Sequence, residues 1–143
     1  MPTRSRRGPD LLVDTSVAVA LVVADHEHHS PTYDALSDRQ LGLAGHAAFE
    51  TFSVLTRLPP PARRTPATVA RLLKAGFPHT RFLSPAAATA LLARLESGGI
   101  AGGSVYDALV GATAAEHQLT LATRDRRALE IYRTLGVSVE VVG

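Results

Sequence analysis

At 143 residues, with 45% apolar and 20% charged positions, the chain has the size and makeup of one globular domain able to bury a core. It contains no cysteine, which excludes a disulfide frame, a thiolate nucleophile and a cysteine-ligated zinc. Fifteen Lys+Arg against 13 Asp+Glu leave a net charge of +2; the basic residues are arginines but for Lys74, with clusters at Arg4, Arg6 and Arg7, at Arg63 and Arg64, and at Arg124, Arg126 and Arg127, which suit a polyanionic partner or a plainly solvated surface.

The amino-terminal "RSRRGPD", followed by the apolar residues 11–24, mimics a secretory leader, and "SRR" faintly mimics a twin-arginine one. Asp14 interrupts the apolar stretch, and Pro9-Asp10 separates it from the arginines, so export is not expected. No other segment approaches the ~18 apolar residues of a membrane span, and a cytoplasmic protein is the expectation.

From there the chain alternates strand and helix. Residues 11–14 read as a short buried strand and 15–24 as a helix. "SPTYDALS" starts another helix, with Ser30 as N-cap and Pro31 at its first position. A strand is expected at 40–44 and a helix at 46–58, ended by Pro59, Pro60 and Pro61. Thr65-Pro66 opens a helix to about Lys74, stopped by Gly76. A strand at 79–83 precedes a helix that opens at Ser84-Pro85 and closes at Gly98-Gly99. Ser104 is the expected cap of a helix over 105–117. Strand 119–122, helix 126–135 with its stop at Gly136, and strand 137–141 complete the chain. With no repeat and no dividing linker, residues 1–143 form a single domain, of which 1–9 are expected to be flexible. The alternation predicts an α/β fold with a mostly parallel sheet covered on both faces, whose ligands gather at the carboxyl ends of the strands.

Three acids fall at that rim. Asp14 ends the first strand, Asp125 follows the strand at 119–122, and Asp107 sits in the first turn of the apolar helix "VYDALVGATAA". Each has a plain structural reading as well. Asp14 and Asp125 suit N-caps, and Ser104 with Asp107 has the spacing of a capping box. Glu50 is mid-helix. The apolar face there reads Ala47, Ala48, Phe49, Phe52, Val54, Leu55 and Leu58, and the opposite stripe His46, Glu50, Ser53 and Arg57, which is either solvated or turned to a polar cleft. Carboxylates gathered in one pocket repel, and so take up protons or bind a hard cation such as Mg²⁺ or Mn²⁺. An acidic, ion-binding pocket within a basic surface is what a nuclease needs.

On these residues the chain resembles the PIN-domain ribonucleases, and in its size the VapC-type toxins of toxin–antitoxin pairs. "LLVDTSV" is similar to the family's opening strand and acid, "FETFSVLTRL" to its Glu helix, "VYDALVGATAAEHQLTLATRD" to its third and fourth acids, and "ALEIYRTLGVSVEVV" to its closing helix and strand, in the same order over nearly the whole chain. The resemblance implies a three-layer fold with a five-stranded, mostly parallel sheet. It implies that Asp14, Glu50, Asp107 and Asp125 form an acidic quartet binding Mg²⁺ or Mn²⁺, supported by Thr15, Ser16 and Thr123. It further implies RNA phosphodiester hydrolysis by metal-activated water, a small VapB-type antitoxin that blocks the acidic pocket, and a homodimer. Arg126 and Arg127 stand where some relatives carry another acid, which argues against a second tightly held ion.

Several residues carry two readings. His26, His28 and His29 suggest a transition-metal site or a loose surface cluster. Arg63 and Arg64 suit RNA phosphates or a solvated loop. His46 suits an RNA contact, the surroundings of the metal or a simple surface histidine, and Tyr106, beside Asp107, is the best-placed ring for stacking on a base. Two other functions compete. An aspartyl-nucleophile phosphatase built on Asp14 normally has a second Asp two residues on, where Ser16 stands, and a lysine, of which Lys74 is the sole example. A non-catalytic α/β module binding nucleic acid or protein needs only capping acids and a basic surface.

Overall fold

Leu11, Leu12 and Val13 are buried, and the chain leaves them directly into a helix. The structure, a computed structural model, describes residues 11–143; the segment 1–9 expected to be flexible, with its arginines, lies outside the described residues. β1 (Leu11–Val13) leads into α1 (Thr15–Val22) and α2 (His29–Leu36). β2 (Leu41–Leu43) is followed by α3 (His46–Thr56), α4 (Pro66–Gly76), α5 (Pro85–Gly98) and α6 (Ser104–His117). β3 (Thr120–Thr123), a 3₁₀ turn at Arg126–Ala128, α7 (Leu129–Thr134) and β4 (Val139–Val141) complete the chain.

The sheet runs β2-β1-β3-β4 with every pair parallel. β1 is central, with Val13 beside Leu43 on one flank and Ala122 on the other. A strand covered on both faces should be apolar at every position, and β1 is. Its pleat divides the core. Leu12 joins Leu121, Ala108, Val110, Ala114 and Tyr132 on one face, under α6 and α7. Leu11 and Val13 join Val17, Ala18, Leu36 and Phe77 on the other, under α1, α2 and α4. This is the expected three-layer arrangement.

A full fifth strand does not form. Residues 79–83 are reduced to one parallel bridge, Ala44 to Arg81, on the outer flank of β2. The cause is local: Thr80 Oγ1 accepts the Leu43 N–H at 3.0 Å, where a strand would offer a main-chain carbonyl. The segment also crosses β2 so closely that a Cβ on Gly42 would stand 2.1 Å from the His79 carbonyl oxygen. The sheet therefore has four strands and a strap.

Four of the expected caps hold, with Asp14 accepting from the Val17 N–H before α1 and Asp125 from the Arg127 N–H before the 3₁₀ turn. Thr65 accepts from the Thr68 N–H and Ser84 from the Ala87 N–H, each just before a helix-opening proline. Two do not. α2 begins at His29, so Ser30 and Pro31 lie inside its first turn and His28 occupies the cap position without a side-chain bond. α6 begins at Ser104, with Gly103 at the cap and no side-chain bond, so Asp107 belongs to no capping box. On α3 the buried residues are Ala47, Thr51 and Leu55, while Phe49, expected inside, is 65% exposed.

Candidate active site

The strand order reverses direction at β1: β2 lies on one side of it and β3 on the other. Parallel sheets open a crevice at the carboxyl ends of such a pair. Asp14 stands there, one residue past β1, and Thr123, Arg124 and Asp125 follow the same rim at the end of β3.

Asp14 is 4% exposed, and its burial is answered by four donors. Oδ1 accepts from Ser16 Oγ at 2.6 Å and from the Val17 N–H at 3.3 Å, which caps α1. Oδ2 accepts from Tyr132 Oη at 3.0 Å and from Thr123 Oγ1. Burial outweighs these bonds and pushes its carboxyl up from the ordinary value. The same hydroxyls tie in the β3 rim: Ser16 Oγ accepts the Arg124 N–H at 2.9 Å, and Thr123 Oγ1 accepts the Asp125 N–H at 3.0 Å. Thr15, expected beside them, turns away; its hydroxyl lies 3.5 Å from the Ala47 carbonyl and 3.5 Å from Thr51 Oγ1 on α3.

Asp107 is half-buried on the first turn of α6, and its carboxyl is pushed up to about 6. Burial is the largest cause, followed by the negative charges of Asp125, Glu50 and Asp14, while Arg127 opposes them. Four acids from β1, α3, α6 and the end of β3 thus share one field. Asp125 is steadied meanwhile by Arg127, whose main-chain N–H lies 3.0 Å and whose Nε lies 3.2 Å from Asp125 Oδ1. As the side chains stand, no three His, Cys, Asp or Glu among the described residues close on one point to hold a metal ion. The donor set nonetheless fits a hard divalent cation: all oxygen, with an excess of negative charge that already favours a proton on Asp107.

Tyr132 is the participant that sequence reading missed. It is buried beside Gly111 of α6, where a Cβ would come within 3.0 Å of the ring. Asp14 raises the tyrosine's own pKa further above its ordinary value, after burial, so Tyr132 is a fixed hydrogen-bond donor. The signal was a tyrosine in a core position of "ALEIYRTLG", where its hydroxyl needs a partner.

The other doubled readings divide. His26 Nδ1 accepts from the His28 N–H at 3.0 Å and His29 Nδ1 donates to the Ala20 carbonyl at 2.8 Å, so these rings fasten the turn after α1. Arg63 Nε and Arg64 Nη1 donate to the carbonyls of Leu58 and Ala62 in their own loop. His46 and Tyr106, by contrast, stack on each other at 5.0 Å between centroids.

The family model described as the PIN domain matches residues 11–134. Ribonuclease VapC27 of Mycobacterium tuberculosis is 47% identical over 133 residues, which span 93% of this chain and 97% of that protein. Among solved structures, Mycobacterium tuberculosis VapC20, a sarcin–ricin-loop-cleaving toxin, superposes with a TM-score of 0.66 at 18% identity, covering 84% of this chain and 93% of that one. VapBC2 of Rickettsia felis, bound to a DNA fragment from its promoter, superposes at 0.65 with 14% identity, over 92% and 97% of the two chains. The chain belongs to the PIN-domain family, among the VapC-type ribonuclease toxins.

Proposed function

We propose that this protein is a Mg²⁺- or Mn²⁺-dependent endoribonuclease, the toxin of a VapBC-type pair, acting on RNA at the rim between β1 and β3. The observation that carries the reading is the convergence of Asp14, Glu50 and Asp125 on Asp107, whose carboxyl is lifted to about 6 by burial first and by their negative charges second. These four would hold the ion. When bound, it supplies Lewis acidity toward the scissile phosphate and lowers the pKa of an attacking water.

The remaining work falls to the chain itself. Ser16, Thr123 and Tyr132 keep Asp14 in one orientation, and such supporting bonds typically account for about 10–100-fold in metal affinity or activity. Arg127 holds Asp125 from an exposed position and places a positive charge beside the cluster, available to a phosphate. An aspartyl-phosphatase role is disfavoured because Ser16 stands where such an enzyme needs its second acid, and Lys74 is the sole lysine of the sequence.

The partners follow from the same reading. A VapB-type antitoxin would silence the protein by covering the acids, and a cytoplasmic location goes with RNA as substrate. A homodimer belongs to the same reading, with Leu92 on α5 as a large apolar side chain left open to a partner. The test is cleavage of RNA by the purified protein in Mg²⁺, Mn²⁺ or EDTA. Cleavage should require the divalent ion, and Asp14→Asn and Asp107→Asn should each reduce it by more than about 100-fold, beyond what loss of a supporting bond costs. Undiminished cleavage in both variants would remove the quartet. A wild type that cuts no RNA with either ion would leave the non-catalytic module as the better reading.

A further inference from the structure

A groove of about 340 Å³ opens beside Glu50, lined by His46, Phe49, Glu50, Ser53 and Tyr106. His46 begins α3 and Tyr106 lies in the first turn of α6, so two helix starts bring their rings together. The ring planes are inclined by only 21°, and Tyr106 remains 50% exposed. The two rings are therefore stacked face to face, and half of Tyr106 remains open to solvent.

The groove is continuous with the acid cluster. Glu50 lines the one and contributes to the other, one helical turn, about 6 Å of rise, beyond His46. Asp107 is the residue after Tyr106, carrying the cluster's charge to the other edge of the stacked pair. A single-stranded RNA whose phosphate lies at the acids has its adjoining nucleoside within this distance. Unstacked bases are taken up on aromatic faces and read along their edges by side-chain donors and acceptors. Here the rings supply the face, and the Ser53 hydroxyl, the His46 nitrogens and the Glu50 carboxylate supply polar groups for an edge.

We propose that the His46–Tyr106 platform seats one unpaired nucleobase flanking the scissile phosphodiester, and so helps select where single-stranded RNA is cut. The inference rests on the ribonuclease reading and adds a base subsite to it. A protein partner is the competing occupant, since Phe49 in the same groove also meets the exposed Phe82 ring at 5.9 Å. The near-parallel ring pair, the few polar groups set in a mostly apolar lining and the shared Glu50 favour the base.

The experiment uses a short single-stranded oligoribonucleotide that the wild type cuts, and versions of it with an abasic residue at each position flanking the cut. Wild type, His46→Ala, Tyr106→Leu and Tyr106→Phe are compared in steady-state cleavage, with light scattering for oligomeric state. Tyr106→Leu and His46→Ala should raise KM about tenfold or more with kcat within about threefold, and Tyr106→Phe should restore KM. One abasic position should weaken the wild type by the same factor and Tyr106→Leu not at all, because the lost contact is then the same. If KM and the abasic profile are unchanged in both variants while the wild type cuts normally, the subsite is overturned and the ribonuclease stands. If the loss of cleavage accompanies a change of oligomeric state, the platform is a protein contact and the subsite is overturned. If the wild type cuts no RNA with Mg²⁺ or Mn²⁺, the ribonuclease reading falls and takes the subsite with it.

Discussion

Asp107 carries a measurable consequence of crowding. Its carboxyl moves from an ordinary 3.8 to about 6, through burial first and then the charges of Asp125, Glu50 and Asp14. The unfolded chain gives up that proton near the ordinary value, while the folded protein keeps it until about pH 6. Stability therefore falls as pH rises between the two, and above pH 6 the fold carries the whole cost of the charge. In EDTA, Asp107→Asn should raise Tm by about 2 °C at pH 7.5 and converge with the wild type below pH 4. An equal gain at both pH values would show that the charge is not responsible. Asp14, Asp107 and Asp125 stand out in the sequence by their place at strand ends and helix starts, whereas Glu50, mid-helix on a polar stripe, is singled out only by the family resemblance. The partners of Asp14 were only half legible: Ser16 and Thr123 stand next to acids, but Tyr132, 118 positions away, reaches Oδ2 only through the packing of α7. Thr15 misled for the opposite reason, since adjacency in sequence says nothing about which way a hydroxyl turns.

At the scale of elements, the strap at residues 79–81 lies on Gly42 because glycine leaves room for it. Any side chain there would meet the His79 main chain, with the carbonyl carbon at 2.3 Å and the Thr80 nitrogen at 2.7 Å. Gly42→Ala should push the strap away and break the bond from Leu43 N–H to Thr80 Oγ1, at a cost of about 1–3 kcal/mol. Urea unfolding would record the loss, and amide exchange should quicken at Leu43 and Arg81; a variant as stable as the wild type would show that the strap is not anchored there. Helices and the central strands were readable from periodicity, prolines and glycines, as the Thr65-Pro66 and Ser84-Pro85 starts illustrate. The fifth strand was not, because one hydroxyl replacing a carbonyl in a ladder leaves no trace in hydropathy. The same limit applies to α6, whose start at Ser104 rather than Val105 removes a capping box and leaves Asp107 available to its acidic neighbours.

For the whole molecule, the proposed ion site would couple ion binding to folding. An ion that binds the folded protein at 100 times its Kd adds about 2.7 kcal/mol, and the gain shrinks where protons compete for the same carboxylates. Mg²⁺ should raise Tm at pH 7.5 by several degrees, less at pH 5.5, and not at all when Asp14→Asn and Asp107→Asn are combined; an undiminished shift in that double variant would move the ion elsewhere. The double duty of Asp14 has a cellular corollary. It caps α1 and anchors the end of β3 while belonging to the acidic cluster, so a small apolar replacement strands the Thr123 and Tyr132 hydroxyls and the Val17 amide in the interior. On the proposed toxin reading, cells that escape the activity through such a change would hold little of the protein, and the proposed antitoxin would be left without its consort. On the same reading, escape through Glu50, half-buried on the flank of α3, would instead leave an abundant, silent decoy for that antitoxin.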